Sequence, residues 1–355
     1  MTEPIRVAVL GFGLAGRYFH APFIQAVPGL QLRAVVTADP GRRQAAREEY
    51  PEVAVLTRAD DVLDDPGSYD LVVVATANVA HVPLATTALS RGLHVLVDKP
   101  LAADAASARE LASRARAADR QLHVFQNRRY DSDFRTIRSL LSRGSLGTVG
   151  RFESRFERWK TGPGGGWRAS SEPEQMGGVL YDLGAHLVDQ ALQLFGPARS
   201  VYAELESRAK RGSPDDDTFI AIRHWSGTVS HLWMSSVAAH QGPRFRLLGS
   251  RGAFVVSGLD GQEDALLAGG RPSTDSSDDW GLPAPGRVGV LSPEGQDVPL
   301  ERGDYRDYYR DVAASLRGEC PPPVQVSEVI AELEVLDAAR RSAATMEAVA
   351  LPVTQ

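Results

Sequence analysis

The chain predicts an α/β fold in two parts: a doubly wound parallel sheet over residues 1–125, then an α+β unit over 126–355 carrying a large, mostly antiparallel open sheet. Three observations predict it. A short apolar run, Ile5–Leu10, leads directly into Gly11-Phe12-Gly13-Leu14-Ala15-Gly16. Up to about residue 125, wholly apolar segments alternate with helical stretches. After Asn127 the apolar residues take a spacing of two, the period of strands with one face in a core.

The runs Ile5–Leu10, Gln31–Val36, Leu71–Ala75, His94–Val97 and Leu122–Phe125 are continuous and predominantly apolar, as strands covered on both faces are. Helices are expected between them, from Arg17 to about Val27 and over Arg42–Glu49, His81–Ser90 and Ala103–Ala118. A strand, G-x-G-x-x-G and a helix in that order form the dinucleotide-binding unit of a Rossmann domain. Gly11 permits the tight turn, Gly13 lets the backbone approach a pyrophosphate, and Gly16 lets helix and strand pack closely. The helix N-terminus offers free N–H groups to the phosphates.

In the second part a helix is expected over Asp133–Leu141, closed by Arg143-Gly144. Val149–Arg158 alternates as a strand, with Phe152 and Phe156 on one face. A glycine-rich loop follows over 161–167, then a helix from about Gly178 to Phe195. Further strands are expected at Ala198–Ser207, Thr218–His224, Thr228–Ser236, Arg244–Leu248 and Ala253–Val256, joined by short turns and hence antiparallel. Residues 257–303, rich in Gly, Pro, Asp and Ser, read as a long irregular excursion. Helices at Tyr305–Leu316 and Ser327–Val349 close the chain, the second starting at Ser327 after Pro321-Pro322-Pro323.

Composition narrows the function. A net charge of −6 gives no support for nucleic-acid binding, and Arg208-Ala209-Lys210-Arg211 reads as a solvated loop. No apolar run approaches the roughly 18 residues of a membrane span. The N-terminal apolar run Val7–Leu10 lacks a small-residue cleavage site and is not read as a signal peptide. The single cysteine, Cys320, excludes an intrachain disulfide and a cysteine-based zinc site, so a reducing cytoplasm is the expected location.

Open α/β sheets bind ligands at the C-terminal ends of their strands. Those ends here carry Thr76-Ala77-Asn78 with His81, then Asp98-Lys99-Pro100, then Gln126-Asn127-Arg128-Arg129. Cofactor contacts are expected from Thr76, Asn78, His81, Asp98 and Lys99 beside the glycine motif. On spacing alone, Lys99 is either functional or an exposed surface group. Asp182 and His186 are four apart, so a helix places both on one face. A histidine with a carboxylate one turn away suits a general base; the other reading is a helix-surface pair or a buried, hydrogen-bonded histidine. The other histidines do not cluster with carboxylates, so no catalytic metal is expected.

Taken together, Gly11–Gly16, Asp98-Lys99-Pro100, Asn127-Arg128-Arg129 and Gly178…Asp182…His186…Asp189 carry a resemblance over essentially the full length. The chain resembles the glucose–fructose oxidoreductase / inositol dehydrogenase / rhizopine catabolism (Gfo/Idh/MocA) family. Phe19-His20-Ala21-Pro22, the run from Asn127 to Phe134, and Phe152-Glu153-Ser154-Arg155-Phe156 make it most similar to the NADP-dependent scyllo-inositol dehydrogenase subgroup. The resemblance implies that Lys99 sits between nicotinamide and substrate, with Pro100 often in a cis peptide. It implies that Asp182 and His186 contact substrate hydroxyls, His186 accepting the proton. It places Arg128 and Arg158 in the pocket, which depends on loops 126–135 and 158–172, the latter bringing Trp167. The implied activity is oxidation of a secondary alcohol on a cyclitol or sugar; the alternative is a non-catalytic dinucleotide-binding regulator. The joint presence of Lys99, Asp182 and His186 favours the enzyme. Two departures are mild: Asp98 stands where the family usually has Glu, and Thr76-Ala77-Asn78 where Thr-Pro-Asn is frequent.

Cofactor choice and assembly are also legible as expectations. NAD-preferring domains place Asp or Glu about 20 residues past the glycine motif to bond the ribose 2′-hydroxyl. That position is Thr37, which does not repel a 2′-phosphate, and Arg42 and Arg43 follow as candidate phosphate partners. Asp39 argues for NAD, but Asp39-Pro40 reads as the start of the next helix with the carboxylate near its N-cap. NADP is therefore expected over NAD. In the strands of the open sheet both parities are apolar, as with Val201 and Tyr202 or Leu232 and Trp233, so a homodimer or homotetramer through that face is expected.

Overall fold

The computed structural model describes residues 3–160, 172–209, 212–275 and 278–352. The first part runs β1 (Ile5–Leu10), α1 (Ala21–Ala26), β2 (Leu30–Val36), α2 (Pro40–Glu49), β3 (Ala54–Leu56) and α3 (Asp60–Leu63). It continues through β4 (Leu71–Val74), α4 (His81–Ser90), β5 (His94–Asp98), α5 (Ala105–Ala117) and β6 (Leu122–Phe125). All strands are parallel, in the order β3-β2-β1-β4-β5-β6. The direction of winding reverses between β1 and β4, which opens a crevice above their C-terminal ends. β4 is buried along its whole length, as a doubly covered parallel strand must be.

Two local features differ from expectation. The helix after the glycine motif begins earlier, as a π-helical turn over Ala15–His20, and becomes α-helical only at Ala21, with Pro22 in its first turn. β3 escaped the sequence reading because three partly exposed residues carry no measurable period.

The second part contains α6 (Ser132–Ser142), β7 (Val149–Glu157), α7 (Ala185–Phe195), β8 (Ala198–Glu206), β9 (Asp217–His224) and β10 (Val229–Ser235). Then come β11 (Phe245–Gly249), β12 (Ala253–Val256), α8 (Gln262–Leu267), β13 (Val288–Ser292), β14 (Gln296–Pro299), α9 (Tyr305–Leu316), α10 (Val326–Thr345) and β15 (Val349–Ala350). Nine strands make one sheet, β14-β13-β12-β11-β7-β10-β9-β8-β15. Its pairings are antiparallel except β7 with β10. Phe152 and Phe156 are buried together, as their even spacing requires, and Phe152 packs on Phe195 of α7 with ring centroids 5.2 Å apart.

The stretch 257–303 is not wholly irregular. It holds α8 and the β13–β14 hairpin, whose few strand residues are masked by the surrounding Gly, Pro, Asp and Ser. The closing helix starts at Val326 and not at Ser327: Gln325 is the N-cap and forms a reciprocal capping box with Glu328. It ends at Thr345, with Met346 at φ 61°. α10 packs on α5, β6, α7 and β8, and so ties the two sheets together. No helix among the described residues is long and apolar enough to cross a membrane.

Candidate active site

A cleft of about 720 Å³ lies above the C-terminal ends of β1, β4, β5 and β6, closed on its far side by β7, the 180–186 segment and α8. Gly11, Phe12, Gly13, Leu14 and Ala15 form one wall. Gly11 has φ +102°, and a Cβ there would collide with the Ala75 carbonyl, so β1 can turn this tightly only with glycine. A Cβ on Gly13 would meet nothing but the Arg42 guanidinium, at 3.6 Å. That leaves a bare backbone edge facing the cleft beside a cation, a cradle that fits a dinucleotide pyrophosphate. Gly16 does not line the cleft. It lies under the turn, where a Cβ would collide with the Gly11 carbonyl, and so serves helix–strand packing.

Thr37 and Arg42 line the cleft beyond the glycine wall, and Thr76, Asn78 and Asp98 line its floor. Arg43 departs from expectation: its Nη1 donates to the Ala38 carbonyl at 2.7 Å, outside the lining. Asp39 caps α2, its Oδ1 accepting the Arg42 N–H at 2.8 Å, which occupies the carboxylate as the Asp39-Pro40 reading requires. His81 is a correction. It is buried behind the cleft, its Nδ1 donates to the Pro100 carbonyl at 2.8 Å, and burial lowers its pKa to about 4. It supports the Lys99-Pro100 segment from behind, in place of the expected cofactor contact.

Lys99 follows Asp98, the last residue of β5, and the Lys99-Pro100 peptide is cis. Its Nζ donates to the Asp182 carbonyl at 2.5 Å and to Asp182 Oδ1 at 3.1 Å. The ammonium is largely buried and is held at the centre of the cleft wall. Asp182 and His186 line the same cleft, but not as the i, i+4 pair of an α-helix. The turn Leu180–Gly184 is π-helical, which changes the side-chain spacing around the axis before α7 begins. The Asp182 carboxylate pairs with Lys99, and the His186 imidazole meets Gln126, Nδ1 to Oε1 at 3.3 Å. Burial, then the nearby cations Lys99, Arg128, Arg244 and Arg158, push the His186 pKa well below the ordinary imidazole value. A carboxylate paired closely with the imidazole would raise this pKa, but the Asp182 carboxylate pairs with Lys99 and the lowering influences prevail.

Arg128 and Arg158 both line the cleft and lie over the Phe156 ring, their guanidinium carbons 4.7 and 4.6 Å from its centroid. Glu263 of α8 bridges them, accepting from Arg128 Nη2 at 2.5 Å and Arg158 Nη2 at 3.3 Å. Burial would raise the Glu263 pKa, but Arg128 and Arg158 outweigh it and hold the group ionised. The sequence reading missed Glu263, because it sits in the segment taken as irregular. Acidic residues in a first helical turn, Glu263 and Asp264, were the available signal for α8 but not for its position at the cleft. Trp167 lies outside the described residues. No group of three or more His, Cys, Asp or Glu among the described residues is placed to hold a metal ion.

Comparison with known proteins places this geometry. Residues 5–126 match the family model described as "Oxidoreductase family, NAD-binding Rossmann fold", and residues 138–351 match "Oxidoreductase family, C-terminal alpha/beta domain". The uncharacterized oxidoreductase YdgJ of Escherichia coli K12 is 37% identical over 349 residues, 97% of each chain. The scyllo-inositol 2-dehydrogenase (NADP(+)) IolW of Bacillus subtilis 168 is 32% identical over 350 residues, 96% of this chain and 94% of IolW. The solved structure of YPO2259 from Yersinia pestis superposes with a TM-score of 0.90 at 35% identity, covering 100% of this chain and 99% of that one.

Proposed function

The chain belongs to the Gfo/Idh/MocA oxidoreductase family, nicotinamide-dependent dehydrogenases acting on CH–OH groups, and from that premise we propose that it is an NADP-dependent dehydrogenase of a cyclitol or sugar. The observation that carries the reading is the convergence of Lys99, Asp182 and His186 on one cleft beside a bare glycine turn. A bound nicotinamide dinucleotide supplies the hydride acceptor. The backbone of Gly11 to Ala15 would hold the pyrophosphate and Arg42 would serve the ribose end. The Lys99 ammonium, anchored by Asp182, binds the reacting hydroxyl oxygen and stabilises the negative charge that grows there. His186, kept neutral by burial and surrounding cations, takes the hydroxyl proton. Arg128, Glu263 and Arg158 form a wall of paired charges that binds the rest of the polyol. Steady-state turnover with cyclitols, aldoses and sugar acids tests the substrate class. Tight dinucleotide binding with no turnover on any of them would instead mark a regulator.

The preference for NADP rests on Thr37 and Arg42 in the lining and on Asp39 being used as a helix cap. The name of IolW, which specifies NADP(+), agrees. Arg42→Ala should lower kcat/KM for NADP by about 10- to 100-fold, the worth of a lost charge-assisted phosphate contact, and leave NAD nearly unaffected. Arg43→Ala should change little. A clear NAD preference, or unchanged NADP affinity in the Arg42→Ala/Arg43→Ala double variant, would assign ribose recognition to Asp39.

The outer face of the open sheet carries a cluster of half-exposed rings, Phe219, His231 and Trp233, with Arg155 stacked 3.9 Å over Trp233. An aromatic patch on the uncovered side of a sheet is the feature expected of an interface. We read it as the contact of a homodimer or homotetramer, and light scattering at micromolar protein should give a multiple of the chain mass. A monomer mass would refute the assembly.

A further inference from the structure

Two fully buried side chains stand behind the His186 imidazole, and nothing in the proposed reaction yet uses them. Gln126 follows the last residue of β6 and is 1% exposed; its Oε1 meets His186 Nδ1 and its Nε2 donates to Glu332 Oε2 at 2.6 Å. Glu332, on α10, is also 1% exposed, and its Oε1 has no hydrogen-bond partner among the described residues. A carboxyl buried with one oxygen unpartnered is costly where α10 packs on β6, a place an apolar side chain would fill without penalty. We infer that Gln126 and Glu332 are positioning residues that hold His186 in the tautomer with its proton on Nδ1, so that Nε2 is left bare to accept the substrate proton. This rests on the reading of His186 as the proton acceptor.

The argument is one of hydrogen-bond polarity. The carboxyl oxygen Oε2 accepts, so the amide must turn its NH₂ end toward Glu332; the opposite orientation would set two oxygens against each other. The oxygen end of Gln126 then faces His186. That oxygen only accepts, so Nδ1 must carry the proton, and in a neutral imidazole the other nitrogen is then the base. Burial and the neighbouring Asp189 of α7 raise the Glu332 pKa against the opposing pull of Arg129, Gln126 and Lys99, which favours the neutral carboxyl. A proton on Oε1 leaves Oε2 an acceptor and keeps the polarity; a proton on Oε2 would donate to the amide oxygen and reverse it, giving a ring protonated on Nε2. The charged groups that act most strongly on His186, Lys99, Arg128, Arg244 and Arg158, are cations and cannot accept its ring N–H; of the carboxylates in the same cleft, Asp182 pairs with Lys99 and Glu263 with Arg128 and Arg158.

The test is the tautomer itself, read by NMR from ¹⁵N-histidine-labelled protein without dinucleotide, with His186 assigned by its loss in His186→Asn. Wild type should show the proton on Nδ1. Gln126→Met and Glu332→Met should each shift the ring toward the Nε2–H form and lower kcat at least about tenfold with little change in KM for the dinucleotide. Glu332→Gln keeps an acceptor at the same place and should restore both the tautomer and kcat, which a purely structural role would not require. A wild-type ring protonated on Nε2 would overturn the inference whether or not the variants fold. So would an unchanged tautomer in both methionine variants, or a shift in Gln126→Met alone, which would remove Glu332 from the chain. The NMR result stands apart from turnover: absence of any polyol activity would sink the enzymatic reading, while an unmoved tautomer in an active enzyme would sink only this one.

Discussion

Lys99→Ala is expected to lower kcat for polyol oxidation by about 10²-fold or more while leaving dinucleotide affinity nearly unchanged. The ammonium is held at the cleft wall by two oxygens of Asp182 and is largely out of water, so its field acts on the reacting oxygen with little reorganisation. In the variant the charge that grows on the hydroxyl oxygen loses this partner. On the proposed reading, binding of the dinucleotide draws mainly on the glycine turn and Arg42, which line the cleft away from the substitution. Stopped turnover with retained dinucleotide binding by calorimetry is the expected pattern. A near-native kcat would remove Lys99 from the chemistry.

His186→Asn should cost about 10²- to 10⁴-fold in kcat, the usual contribution of a positioned general base, and should flatten the acidic side of the pH–rate profile. The sign follows from the environment. The base must be neutral to accept a proton, so oxidation slows as pH falls through its pKa. Burial and the cations around His186 place that pKa well below the ordinary imidazole value, so the wild-type acidic limb should lie at lower pH than a free histidine would give. A limb at or above the ordinary value, or one that survives in the asparagine variant, would transfer the role to another group.

Much of this molecule is legible in its sequence because its signals are local. The glycine motif dictates a turn whose steric demands are met by glycine at Gly11 and Gly16. The apolar runs of β1, β4 and β6 are buried on both sides, and Asp39 announces the cap it makes on α2. What escaped is of two kinds. β3, β15 and the β13–β14 hairpin have too few residues, or too polar a surrounding, for periodicity to register. The rest is tertiary. No spacing rule brings Glu263 of α8 between Arg128 and Arg158, or Glu332 of α10 to Gln126, because these pairs are separated by 135, 105 and 206 positions. For Asp182 and His186 the spacing is a guide to the shared cleft but not to the partner of each. Four residues make one turn only in an α-helix, and this turn is π-helical, so the carboxylate turns to Lys99 and the imidazole to Gln126.

The most direct measurement is of hydride transfer. Purified protein, NADP and a uniformly carbon-deuterated cyclitol or aldose that the turnover survey has shown to be active should yield reduced dinucleotide carrying one deuterium, with a proton released to solvent. Lys99→Ala should slow that transfer by about 10²-fold or more without abolishing binding. A dinucleotide that binds tightly yet stays oxidised with every cyclitol and sugar offered would contradict the dehydrogenase reading and leave the cleft as the binding site of a regulator.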